Sequence, residues 1–208
     1  QGARLAAAGD ARFAGMPGVA LGAAGPGATN GFTGLTEALM DSIPLVVLTG
    51  QVPSFMIGSD AFQEADTVGI TRPCTKHNWL VKETDTLAKT IHEAFHIATS
   101  GRPGPVLIDI PKDVQFANGT YTPKTVSKSH YQPQLKGDME AITELVEALE
   151  KAERPVFYTG GGVINSGPAA SQLLRELVES TGFPITSTLM GLGCYPASGD
   201  KWLGMLGM

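Results

Sequence analysis

No stretch of this 208-residue sequence concentrates Lys or Arg, and the formal net charge is −5. Without a basic face there is no electrostatic footprint for nucleic acid or an anionic membrane, so neither is an expected partner. No apolar run approaches the roughly 18 residues that span a bilayer, and no charged-then-apolar leader precedes Gln1. Cytoplasm is the expected location. Only two cysteines are present, Cys74 and Cys194, at no metal-binding or redox spacing, so both are expected to be reduced thiols. Internal repeats, low-complexity tracts and a Ser-His-Asp arrangement are also missing. What the chain has is apolar content, 42% of its residues, enough for one large domain or two small ones.

Taken in order, residues 1–15 are Ala-rich and suit a helix ending near Gly15-Met16-Pro17-Gly18. The short apolar run 19–23 reads as a buried strand. Gly25-Pro26-Gly27 turns the chain, and 28–40 carries Phe32, Leu35, Leu39 and Met40 at helical spacing, with Thr29 or Asn30 as N-cap. Residues 45–48 (LVVL) form a continuous apolar strand, the pattern of a parallel strand covered on both faces. A long polar loop follows, bearing Gln51, Pro53, Asp60, Phe62, Gln63 and Glu64. Loops of more than about a dozen residues in a compact domain are usually functional or disordered, and the aromatic and apolar residues of this one favour a binding site.

Beyond the loop, 75–81 is a strand and 85–100 a helix with Leu87, Ile91, Ala94, Phe95 and Ala98 on one face, followed by strand 106–110. Polar, proline-containing residues up to 137 have the composition of a linker. A second unit starts at Asp138: helix 139–152, strand 155–158, glycines 160–162, helix 167–181 and strand 184–187. Alternating helices and continuous strands predict an α/β protein with doubly wound parallel sheets.

Several motifs carry possible chemistry. Gly160-Gly161-Gly162 lies between a strand and a helix, where backbone amides can face an anion, but the spacing is not that of the dinucleotide fingerprint. His92-Glu93-Ala94-Phe95-His96 matches the zinc-peptidase pattern on a helix. The helix is short and no third ligand is spaced recognisably downstream, so a flank of ordinary helical residues is the stronger reading. Arg102 sits on a rigid Gly-Pro turn, where its guanidinium could pair with a phosphate or carboxylate. Lys112 follows a strand end, the edge where open α/β sheets place ligands. Asp60 and Glu64 flank Phe62-Gln63 and name no reaction by themselves.

The runs GPGATN, ALMDSIPLVVLTGQVP, IGSDAFQEAD, TKHNWLV, SGRPGPVLIDIPKDVQ, STLMGLG and LGMLGM, in this order over nearly the whole chain, resemble the catalytic large subunit of acetolactate synthase, also called acetohydroxyacid synthase. That resemblance implies a thiamine-diphosphate enzyme that decarboxylates pyruvate and condenses the two-carbon unit with a second 2-oxo acid, pyruvate or 2-oxobutyrate, in branched-chain amino-acid biosynthesis. It implies a thiamine-diphosphate pyrimidine-binding domain over 1–118, a linker over 119–137, and the start of a Rossmann-like, FAD-binding central domain over 138–208. Mg²⁺ ligands are expected in a third domain outside this sequence, and the family's pyrimidine-contacting glutamate directly before Gln1. The chain alone is therefore expected to form no acetolactate. A homodimer or higher oligomer and a regulatory small subunit are the implied partners.

Matched residue by residue, the resemblance places Gln63 beside the thiamine cofactor, Phe62 near the reacting centre and Lys112 at the substrate channel. Pro53 and Ala61 match inhibitor positions along that channel. Arg102, Gly161, Thr188 and Leu189 match flavin contacts, and Ser42, also a cofactor position, lies with Lys76 near the same entrance. The flavin is implied as a structural cofactor. Ala8, Asp10 and Gly22-Ala23-Ala24 depart from the family pattern, which implies looser packing of the first strand and helix.

Overall fold

The computed structural model describes residues 1–121 and 131–206. Pro123, Lys124 and Lys128 of the expected linker, and the last two residues of LGMLGM, lie outside the described residues. The chain divides into two compact units, Gln1–Pro133 and Gln134–Met208.

In the first unit the elements run α1 (Gly2–Ala14), β1 (Gly18–Gly22), α2 (Pro26–Thr29), α3 (Phe32–Met40), β2 (Leu45–Gln51), α4 (Thr67–Thr71), β3 (His77–Leu80), α5 (Thr84–Thr99), β4 (Pro105–Pro111) and α6 (Lys112–Phe116). The strands form one sheet in the order β1-β2-β4-β3, every pair parallel. Strand alternation sends Leu45 and Val47 of β2 and Leu107 of β4 to one face, against Ala8 and Ala11 of α1 and Leu35 and Ala38 of α3. Val46, Val106 and Ile108 face the other way, against Ala94, Ile97 and Ala98 of α5. This is the doubly wound parallel arrangement that the continuous apolar strands imply. Leu35, Leu45 and Leu107 are fully buried, each contributing about 2 kcal/mol relative to exposure.

Three local departures from the sequence expectation have visible causes. The single helix expected over 28–40 is broken at Asn30-Gly31. Arg4 of α1, buried against the break, fills the space above Gly31, where a Cβ would fall 0.9 Å from its Nη1; that nitrogen donates to the Ala28 carbonyl at 3.0 Å. Neither Thr29 nor Asn30 caps α3, whose N-cap is Gly31 with no side-chain bond. Second, β2 continues to Gln51, since Thr49, Gly50 and Gln51 pair in register with Asp109, Ile110 and Pro111 of β4. Gln51 therefore closes a strand and does not belong to the loop. Third, 112–116 is helical, and α4 and two 3₁₀ turns subdivide what composition presents as an unbroken loop and its continuation.

The second unit comprises α7 (Met139–Lys151), β5 (Phe157–Thr159), α8 (Gly161–Asn165), α9 (Pro168–Thr181), β6 (Ile185–Ser187) and β7 (Trp202–Met205). Its parallel sheet has the order β5-β6-β7. The core is Val178, Ile185, Cys194 and Tyr195. The strand β7 and the short helix α8 lack a periodic signal, since each is too brief to repeat one. Both cysteines are free and buried.

Candidate active site

Because all four strands of the first sheet are parallel, Gly22, Gln51, Leu80 and Pro111 end on one edge, where ligands of open α/β sheets bind. Two segments meet there. Gly25, at φ 55°, ends the turn after β1, and a Cβ added to it would lie 2.5 Å from the Gln63 carbonyl oxygen. Only glycine combines this left-handed conformation with so close an approach. The loop on top of Gly25 is strained in its own right: Asp60 and Gln63 are both left-handed, at φ 56° and 61°, and a non-glycine residue there costs roughly 1 kcal/mol. Between them Phe62 stands 89% exposed. Strained residues persist where their surroundings hold them, and they gather at binding sites.

The surroundings are specific. The Glu64 carboxylate accepts from the Gly58 amide and, at 2.9 Å, from the Ala61 amide; these donors hold it below the usual carboxylate range. At the start of the loop, Asp113 of α6 accepts from the Ser54 amide at 2.8 Å and from the Ser54 hydroxyl, which lowers its pKa as well. That clamp sets Pro53, next to Ser54, beside the first turn of α6, where Lys112 is exposed. The structure thus gathers Pro53, Ala61, Phe62, Gln63 and Lys112 on the carboxyl edge.

Beneath the loop lies a buried polar network that sequence reasoning missed. Asp109, 1% exposed, accepts from Thr49 Oγ1 at 2.6 Å and from Gln51 Nε2 at 2.9 Å. The same Gln51 amide donates to the Ala65 carbonyl at 2.8 Å, while its oxygen accepts from the Val52 amide at 2.9 Å. Burial pushes the Asp109 carboxyl up to about 6, opposed by its donors Thr49, Gln51 and Thr67, with a small repulsion from Asp66. The available signal was a lone carboxylate inside the apolar strand VLIDI, which a buried strand tolerates only with hydrogen-bond partners.

Ser42, Arg102 and Lys76 lie elsewhere. Each precedes the first residues of β2, β4 and β3, so they occupy the amino edge of the sheet, opposite Pro53 and Lys112. The three share that edge with one another, with Arg102 and Ser42 in direct contact. Arg102 Nε donates to Ser42 Oγ at 2.7 Å, and its Nη2 to the Met40 and Leu39 carbonyls at 3.0 and 3.2 Å. The guanidinium, which the sequence offered for pairing with a phosphate or carboxylate, here caps the carboxyl end of α3, as a cation there should. Lys76 Nζ donates to the carbonyls of Ile97 and Ser100 at the end of α5 and lies 4.9 Å from the Tyr131 ring centre. Burial lowers its pKa to about 8. In the His-Glu-x-x-His helix, His96 contacts Ser100 Oγ and the Tyr131 carbonyl, His92 is exposed, and the described residues contain no cluster of three metal-ligating side chains.

In the second unit the carboxyl ends of β5 and β6 bring Gly160–162 against residues 188–190. The Thr188 amide donates to the Thr159 carbonyl at 2.9 Å. A Cβ on Gly161 would lie 3.0 Å from Met190 Cβ, whereas one on Gly162 would meet nothing within 4 Å. Gly161, Thr188 and the exposed Leu189 thus form one edge, with open backbone at Gly162.

This pairing of two parallel α/β units agrees with comparison to known proteins. The family described as "Thiamine pyrophosphate enzyme, N-terminal TPP binding domain" matches residues 1–70, and "Thiamine pyrophosphate enzyme, central domain" matches residues 142–208. The acetolactate synthase large subunit IlvB1 of Mycobacterium tuberculosis is 49% identical over the whole chain, which covers 34% of that relative. Acetolactate synthase isozyme 3 large subunit of Escherichia coli is 48% identical over 95% of the chain and 35% of its own length. Acetolactate synthase 3, chloroplastic, of Brassica napus is 46% identical over the whole chain and 32% of its own length. The chain belongs to the thiamine pyrophosphate enzymes, and over its length it is similar to acetolactate synthase large subunits. It spans about a third of the length of these relatives. No helix among the described residues is long and apolar enough to cross a membrane, and the compartment differs among acetolactate synthases, since the Brassica napus relative is chloroplastic.

Proposed function

We propose that the chain supplies one wall of an acetolactate synthase active site, at which pyruvate loses carbon dioxide and its remaining two carbons join pyruvate or 2-oxobutyrate to give an acetohydroxy acid. The observation that carries this reading is the seat of Gln63 on Gly25 at the carboxyl edge, with Phe62 held outward beside it. An exposed aromatic ring next to a side-chain amide, on a strained turn, fits a flat heteroaromatic group such as the pyrimidine of thiamine diphosphate. When bound, that cofactor supplies the electron sink for decarboxylation.

The chain's own residues bind and orient. Gln63 offers an amide to the cofactor, and Phe62 covers the reacting centre and keeps water from it. Lys112, a cation at the channel, draws in the 2-oxo acid carboxylate, while Pro53 and Ala61 shape the wall that inhibitors of the family occupy. In the second unit Gly161, Thr188 and Leu189 are proposed flavin contacts, consistent with the open backbone at Gly162. Arg102 and Ser42 are proposed cofactor contacts, and Lys76 a residue of the entrance at the amino edge that it shares with them, apart from the channel wall of Pro53, Ala61 and Lys112. Residues 1–118 act as the pyrimidine-binding domain and 138–208 as the start of the flavin-binding central domain, with 119–137 between them. Mg²⁺ ligands come from residues outside this sequence, and the working assembly is a homodimer or larger, with a regulatory small subunit, in the cytoplasm.

The test uses the holoenzyme that carries this chain. Phe62→Ala and Gln63→Ala are expected to lower kcat/KM for acetolactate formation by about 100-fold, or nearly 3 kcal/mol of transition-state stabilisation. Wild-type kcat/KM in both variants would overturn the assignment.

A further inference from the structure

The Phe62–Gln63 turn is not held by its own contacts alone. The loop that bears it leaves the sheet at Val52 and returns at Ala65–Thr67, and one side chain touches both ends. Gln51 accepts from the Val52 amide at 2.9 Å and donates to the Ala65 carbonyl at 2.8 Å. It is itself oriented by Asp109, at 2.9 Å, whose other oxygen binds Thr49 at 2.6 Å. Gln51 is 6% exposed and Asp109 1%, so water cannot replace these bonds without opening the edge. The geometry recruits the amide fully: one face of the NH₂ goes to the carboxylate, the other to the loop, and the oxygen to the chain's exit.

We propose that Gln51, oriented by Asp109, is a positioning residue that sets the height of the Phe62–Gln63 turn above the sheet edge and thereby that edge's affinity for thiamine diphosphate. This rests on the reading of that edge given above. Gln51 touches no substrate in this scheme; it acts through the Ala65 carbonyl. The carboxylates facing it are Asp109 from β4 and, through Asp109, Asp66 at the start of α4. Thr49 and Thr67 are the neutral groups around the same oxygens.

The discriminating variants are Gln51→Met, which keeps the volume and removes all three bonds, and Gln51→Asn, which keeps an amide but is too short to bridge Asp109 and Ala65. Asp109→Asn is the conservative control: its carbonyl can accept from Gln51 while its amide donates to Thr49. In the holoenzyme stripped of cofactor, hydrogen exchange and calorimetric titration with thiamine diphosphate are measured together. Gln51→Met and Gln51→Asn are expected to speed exchange of amides 54–66 selectively, with β2 and β4 unchanged, and to raise the dissociation constant about tenfold. Asp109→Asn is expected to stay within about threefold of wild type.

Wild-type affinity in both Gln51 variants would overturn the proposal. So would exchange that rises uniformly through β2 and β4, the mark of a merely structural role. Should Gln51→Met fail to fold, Gln51→Asn carries the same two readouts. Gln63→Ala in the same titration separates the failures: wild-type binding there removes the site assignment itself, whereas weakened binding there with normal Gln51 variants removes only the positioning role.

Discussion

Gly25 and Gln63 meet backbone to backbone: a Cβ on Gly25 would stand 2.5 Å from the Gln63 carbonyl oxygen, and both residues have left-handed φ, 55° and 61°. A turn after the first strand is therefore the floor of a loop nearly forty residues away in the sequence. Gly25→Ala has no room for its methyl group and an unfavourable φ. The expected result in the holoenzyme is a displaced loop, with half-saturation by thiamine diphosphate raised about tenfold. Unchanged half-saturation in a titration of activity against cofactor would sink the claim.

Asp109 predicts an acid-side stability signature. Its carboxyl is raised from its ordinary 3.8 to about 6 in the folded chain, so the folded state binds more protons than the unfolded one between these values. Its stabilising contribution is full below the unfolded pKa and is lost as pH rises through the folded pKa. The cost at neutral pH is at most about 3 kcal/mol. Asp109→Asn, nearly the same shape and uncharged, should be more stable than wild type at about pH 7 and no more stable at about pH 4. Urea unfolding at the two pH values checks the difference.

Lys76 predicts the opposite slope on the alkaline side. Its ammonium is lowered from its ordinary 10.5 to about 8 by burial, so the unfolded state binds more protons between those values and stability rises with pH across that window. Lys76→Met has no such titration. The stability of wild type relative to Lys76→Met should grow from about pH 8 to about pH 10, measured by thermal unfolding; a gap independent of pH would contradict the burial argument.

Arg102 and Ser42 act as one capping unit on α3, joined at 2.7 Å. Each of Ser42→Ala and Arg102→Met should cost about 1 kcal/mol, and the double variant less than the sum by about 0.5 kcal/mol or more. Simple additivity in a double-mutant cycle by denaturant unfolding would show that the Ser42 hydroxyl does not orient the guanidinium. Run on protein stripped of flavin, the cycle is independent of any flavin contact Arg102 makes, since a bound ligand would add to the measured stability.

Local pattern was enough for the parallel architecture. The continuous runs around Val46 and Val106 and the apolar stripe Leu87, Ile91, Ala94, Phe95 and Ala98 each state a burial requirement within a few residues. The family resemblance, carried by runs such as GPGATN and DAFQEAD, supplied the chemistry that pattern could not name. Pattern failed where the partner is distant. Gln51 looks like a loop residue until its neighbour Asp109, fifty-eight positions on, is seen beside it.

By itself, then, the sequence determined two α/β units and their apolar faces, because periodicity and turn chemistry are local properties, while its resemblance to a known family supplied the candidate residues. Only the tertiary structure decided which candidates stand together. Parallel pairing sends every strand's carboxyl end to one edge, which unites Pro53, Phe62, Gln63 and Lys112 and places Ser42, Lys76 and Arg102 on the other. Register decided the rest: it set Thr49 opposite Asp109 and turned an isolated carboxylate in an apolar strand into the anchor of the loop above it.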